Sequence, residues 1–145
     1  MASADSARFS YDAYRSLLSL CLESGYGFCG YTDWHDLSKA IILRHDIDYS
    51  LKRALPIARI ESEMGIKSTY FILLRGDFYN VFSDDAMRVI RSLADMGHAI
   101  GLHFDETLYG GGISCALYSM RHRCLRGRLG QRWNAYRCID PARGH

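Results

Sequence analysis

A parallel α/β fold is what this sequence predicts, on three observations: short, dense apolar runs at residues 40–44, 66–74 and 99–104, helical periodicity between them, and a glycine at the close of each helical run. Strand, helix, strand, helix, strand at this spacing implies right-handed parallel crossovers. Periodicity leaves open whether the strands belong to an open doubly wound sheet or to part of a barrel. The 145 residues, 48% hydrophobic and 23% charged, supply apolar material for one core, so one soluble domain is expected.

The elements follow in order. Tyr11, Tyr14, Leu17, Leu18, Cys21 and Leu22 recur at steps of three and four, which predicts an amphipathic helix over 10–24 ended by Gly25. Residues 25–36 read as a loop. The run 40–44, Ala-Ile-Ile-Leu-Arg, is β-branched and continuous, as a strand covered on both faces should be, and it delivers His45, Asp46 and Asp48 at its carboxyl end. Ser50 can cap a helix running to about Met64, with Leu51, Leu55, Ala58 and Ile60 near one face and Gly65 closing it; Pro56 should kink it or shorten its first part. Thr69 to Ile72 anchor the second strand. Ser83, with Asp84 and Asp85 in the first turn, opens a helix to Met96, Gly97 stops it, and the third strand follows.

Charge and cysteine content narrow the function classes. A formal charge of +2 with no basic run in the first hundred residues gives no reason to expect nucleic acid or an acidic membrane as partner. Met1 to Ser10 has neither a basic leader nor an apolar stretch, and 17–22 is far too short to span a bilayer, so a cytoplasmic protein is expected. Five cysteines, none in a Cys-x-x-Cys pair, are expected as free thiols. After Gly110-Gly111-Gly112 the character changes: residues 113–145 carry seven Arg against a single acid, Asp140, and hold no helical or strand period. Residues 113–145 therefore read as an atypical Arg/Cys-rich tail, either a basic surface segment or the product of a shifted frame or truncation.

The residues that carry chemistry stand at strand ends. Alternate residues of an extended chain point the same way, so Asp46 and Asp48 can face one pocket; two ionised carboxylates there call for a cation, or for one of them to hold a proton. An isolated Asp-x-Asp is commonplace in turns and caps. A second cluster, Gly97-His98-Ala99-Ile100-Gly101-Leu102-His103-Phe104-Asp105-Glu106, again sets a His and two acids after a buried run, a donor set that suits zinc or a similar divalent metal.

Asp46 and Asp48, then Gly-Ile-Lys-Ser-Thr-Tyr-Phe at 65–71, then Gly97 to His103, resemble in order and spacing the first two motifs of the polysaccharide deacetylase (NodB-homology) family, over roughly residues 40–108. The His-Asp-Ile-Asp form and the Gly-Leu-His-Phe-Asp-Glu ending resemble the branch found with bacterial surface-polysaccharide and O-antigen genes. The resemblance implies a distorted (β/α) barrel, here partial, with its site at the carboxyl ends of the strands. It divides the chain into a leading helix and loop (1–39), a partial deacetylase-like β/α domain (40–112) and the tail (113–145). By motif, Asp46 matches the catalytic base, Asp48 the metal-binding Asp, and His103 the first His of the second motif. The family's second His would fall at Thr107, a poor ligand, which leaves Asp105 or Glu106 as substitutes. His98 is expected to be structural, and His45, pointing opposite to Asp46, to lie outside the ligand set. No counterpart of the family's later Arg and general-acid His is recognisable after Gly112.

The function implied is hydrolysis of an acyl group on an amino sugar or polysaccharide, dependent on a divalent metal such as zinc. A catalytically inert carbohydrate-binding or scaffold domain is the alternative, and a metal phosphoesterase a third reading that would need more ligands.

Overall fold

The computed structural model describes residues 9–103. Among these, three helices and five strands occur in the order α1 (Tyr11–Glu23), β1 (Gly27–Cys29), β2 (Ala40–Ile42), β3 (Arg44–Ile47), α2 (Ala54–Glu63), β4 (Thr69–Leu73), α3 (Asp84–Asp95) and β5 (Ala99–His103), with short 3-10 turns at Trp34–Asp36 and Leu51–Arg53. β3, β4 and β5 form a parallel sheet with β4 central, and β1 pairs with β2, also in parallel, in a separate two-stranded sheet. The architecture is therefore mixed helix and parallel strand, and the described residues close no barrel.

Each crossover helix is set by its ends. Ser83 Oγ accepts from the Ala86 N–H at 3.2 Å, and Asp84 and Asp85 place negative charge on the positive end of the α3 dipole. Gly65 and Gly97, with φ of 72° and 92°, turn the chain out of α2 and α3 in the left-handed region that a Cβ disfavours. Ser50 makes no side-chain cap, and the stretch after it winds as a 3-10 turn before the α-helix begins at Ala54. Pro56 thus falls in the first α-helical turn, where its missing N–H removes no intrahelical bond, and the helix is shortened rather than kinked.

The two faces of the three-stranded sheet differ. Registered residues of parallel strands share a face, so His45, Tyr70 and Ile100, then Ile47, Ile72 and Leu102, point one way. That face packs on Ala54 and Ala58 of α2 and on Ala86, Met87, Ile90 and Leu93 of α3. Full burial of roughly ten side chains here is the main apolar contribution to folding, at about 1.5–3 kcal/mol each. A smaller cluster, Leu18, Ile60 and Ile66 with Tyr14 and Leu43 against it, docks α1 onto α2.

Two expectations need correction. The run 40–44 is not one strand: Ala40–Ile42 pairs with β1, and the strand of the central sheet is Arg44–Ile47. Periodicity pointed to the most apolar residues, whereas β3 alternates exposed Arg44 and Asp46 with half-buried His45 and Ile47, because only one of its faces meets helices. Residues 25–36 are not all loop either, since Gly27–Cys29 forms β1. Gly27 fits there because the Leu37 side chain occupies the space a Cβ would need.

Candidate functional site

Arg44, Asp46 and then Asp48, one residue past the end of β3, lie on the face opposite the helices, together with Phe71 and Gly101 and, at the carboxyl end, His103. The shift of the strand to 44–47 puts Asp46 inside it and Asp48 at its exit. Asp48 and His103 meet across β4: Asp48 Oδ1 stands 2.9 Å from His103 Nδ1. Both atoms are buried, yet their angles make no hydrogen bond, and neither has another hydrogen-bond partner among the described residues.

That arrangement fits a divalent metal. The two buried atoms stand at ion-pair distance but share no hydrogen bond, and natural proteins seldom leave such a pair without a further group. Donors about 2.0–2.2 Å from a shared zinc stand roughly 3–3.5 Å apart, so the observed spacing is a slightly contracted version of a ligand pair. A carboxylate oxygen and an imidazole nitrogen are donors that zinc accepts.

Asp46 is held differently. Its Oδ1 accepts from Arg44 Nε at 2.8 Å, and the same guanidinium lies 4.1 Å from the centre of the Phe71 ring. The Asp46 carboxylate, partly opposed by burial, raises the Arg44 pKa, and Tyr31 adds to the rise. Phe71 in turn covers Gly101, whose missing side chain makes room: a Cβ there would stand 2.6 Å from the ring. Tyr31 meets the Phe71 ring edge-on at 6.2 Å. Asp46 is thus a carboxylate with one oxygen fixed by a cation and part of its surface in solvent.

Of the sequence candidates, then, Asp48 and His103 come together and Asp46 lies one strand step back on the same face. Among the described residues no three His, Cys, Asp or Glu side chains gather as a metal-binding group, so a shared centre that includes Asp46 as a donor is not formed. Asp105 and Glu106, the substitute ligands, lie outside the described residues.

A second polar cluster among the described residues was not foreseen in the sequence. Glu61 of α2 is fully buried against the helix-covered face, and both its oxygens are saturated. Oε1 takes the Tyr14 hydroxyl and His45 Nε2, the latter at 2.6 Å; Oε2 takes Ser68 Oγ at 2.6 Å and the Tyr70 hydroxyl at 2.8 Å. Four donors require the acceptor-only, ionised carboxylate. Burial pushes its pKa up, but hydrogen bonds from His45, Ser68 and Tyr14 outweigh that and hold it below the usual carboxylate value. Tyr14 and Tyr70 are pushed well up, by burial first and by Glu61 next.

His98 belongs to the same network and is neutral. Nε2 donates to the Ala58 carbonyl at 2.9 Å while Nδ1 accepts from the Ser68 N–H at 3.3 Å, and burial lowers its pKa. His45 stacks on Tyr70 with centroids 4.6 Å apart, on the face away from Asp46. The signal that could have revealed Glu61 is its spacing: it falls on the stripe of Ala54 and Ala58, the apolar side of α2.

Comparison with known proteins adds little. No family model matches the chain, and no curated protein matches it. Among solved structures, the chitin deacetylase from the fungal pathogen Colletotrichum lindemuthianum superposes with a TM-score of 0.44 at 18% identity, over 63% of this chain and 39% of that one. The chain therefore spans 39% of that enzyme's length, and the likeness is too shallow to carry a statement about chemistry.

Proposed function

We propose that the chain carries part of the catalytic site of a metal-dependent deacetylase acting on acylated amino sugars. The observation that carries the reading is the pair Asp48 Oδ1 and His103 Nδ1, buried, 2.9 Å apart and without hydrogen bonds, at the carboxyl end of a parallel sheet. The motif resemblance to polysaccharide deacetylases supports it independently, because it singles out the same two residues. In this reading the bacterial surface-polysaccharide branch supplies the substrate class, zinc is the preferred metal, and Asp105 is the candidate third donor.

Asp48 and His103 would hold the metal. A bound divalent cation polarises an acyl carbonyl and makes water more acidic. Asp46 is the base: Arg44 occupies Oδ1, so the carboxylate plane is fixed and the second oxygen is left to accept a proton from water. The Arg44 guanidinium lies over the Phe71 ring, which in turn covers Gly101.

Acetate release from a β-linked N-acetylglucosamine oligomer, with and without added zinc, tests this. Only weak zinc-dependent release is expected, because the sequence offers no recognisable general-acid His, and it should be abolished in Asp48→Ala and strongly lowered in Asp46→Asn. Release that persists undiminished in Asp48→Ala, or that zinc does not affect, would remove the reading.

A further inference from the structure

Tyr49 follows Asp48 directly, and its ring meets that of Phe78, from the segment between β4 and α3, with centroids 4.5 Å apart and planes at 56°. Both are strongly exposed, at 69% and 63%. Large aromatic rings in mutual contact ordinarily gain by burial, so a pair left in solvent beside a strand end is available to a ligand. The rings rim a cleft of about 160 Å³ whose other walls include Ser50, Lys52, Tyr79 and Asp85.

The cleft is tied to the Asp48 end of the sheet. The Tyr79 hydroxyl donates to the Ile47 carbonyl at 2.7 Å and accepts from the Leu73 N–H at 3.0 Å, which fixes this wall to the carboxyl ends of β3 and β4.

The chemistry of the walls selects a ligand. Lys52 Nζ and Asp85 Oδ2 stand 3.4 Å apart and Asp85 also pairs with Arg88, so acidic and basic groups are interspersed at the cleft and no single-sign patch selects a phosphate or an acidic polymer. Two rings offer too little apolar area for a stable protein interface. A pyranose ring matches both features, since its axial C–H groups form an apolar face that lies on an aromatic ring while its hydroxyl rim takes charged and hydroxyl partners such as Lys52, Asp85 and Ser50.

We propose that Tyr49 and Phe78 form a stacking platform for one pyranose ring of a saccharide chain, beside the ring acted on at Asp48 and His103; the second clause rests on the deacetylase reading, the first does not. Titration of the full chain with N-acetylated chitotetraose, followed by aromatic ¹H–¹³C resonances in chelator-treated buffer, tests it. Saturable shifts of the Tyr49 and Phe78 rings are expected, with binding about tenfold weaker in Tyr49→Ala and in Phe78→Ala and retained in Tyr49→Phe. Both side chains are exposed, so circular dichroism of the variants should match the parent. Shifts that persist in Asp48→Ala, or in a chain that takes up no zinc, support the platform even where the deacetylase reading fails. Ring resonances unmoved at the solubility limit of the saccharide would overturn it. So would alanine variants that bind within about twofold of the parent, or shifts that follow protein concentration instead of saccharide, which would assign the rings to a second copy of the chain.

Discussion

Glu61 shows how much one side chain holds in place. It joins α1 through Tyr14, β3 through His45 and β4 through Tyr70, with Ser68 linking it to His98 at the start of β5. Glu61→Gln keeps the shape but presents an amide N–H₂ to two donors, so about 3 kcal/mol of stability should be lost, measured by urea unfolding. The pH dependence has a definite sign. Because the folded carboxyl sits below its ordinary value of 4.5, its contribution is complete above that value and disappears as pH falls through the folded pKa. The parent should therefore lose stability below about pH 4.5 more steeply than Glu61→Gln, a difference visible in the urea midpoints. The place of Glu61 on the Ala54–Ala58 stripe was legible, but its burial was not, since a Glu in a helix is ordinarily solvated. That Asp46 and Asp48 share a face was legible from strand alternation, whereas His103 was singled out by its place after a buried run and by the motif resemblance. The Arg44 hold on Asp46 was not legible, because assigning Arg44 to the end of the preceding strand hid that the two share a face.

Two of the three described helices begin at a capping serine, but the Ser50 cap expected for α2 does not form. α1 and α3 start at Ser10 and Ser83, whose side chains accept from Ala13 and Ala86, as local chemistry dictates. Ser83→Ala should cost about 1 kcal/mol in thermal or urea unfolding. β4, buried on both faces, was visible as a continuous apolar run, but β3, half-covered and carrying the candidate base, reads as polar. The packing of β4 on β5 depends on a missing side chain. Gly101→Ala should destabilise by roughly 1–3 kcal/mol, since the Phe71 ring must swing away from its place over Gly101. In a Phe71→Ala background the same substitution should cost markedly less, and the double-mutant cycle measures that coupling.

At the scale of the whole molecule the three-stranded sheet separates two tasks. One face carries Tyr70, Ile72, Ile100 and Leu102 into the core with Glu61 among them; the other carries Arg44, Asp46, Asp48 and His103. The parallel α/β arrangement was legible because apolar runs and capped helices alternate at crossover spacing. The two-stranded β1–β2 sheet was not, because strands of three residues leave no period to read. No helix among the described residues is long and apolar enough to cross a membrane. The most direct test is calorimetric titration of the full chain with zinc. One zinc per chain is expected, with uptake abolished in Asp48→Ala and in His103→Ala and retained in Asp46→Asn. Equal zinc uptake by the parent and by Asp48→Ala, or none by the parent, would contradict the assignment of Asp48 and His103 as a metal pair.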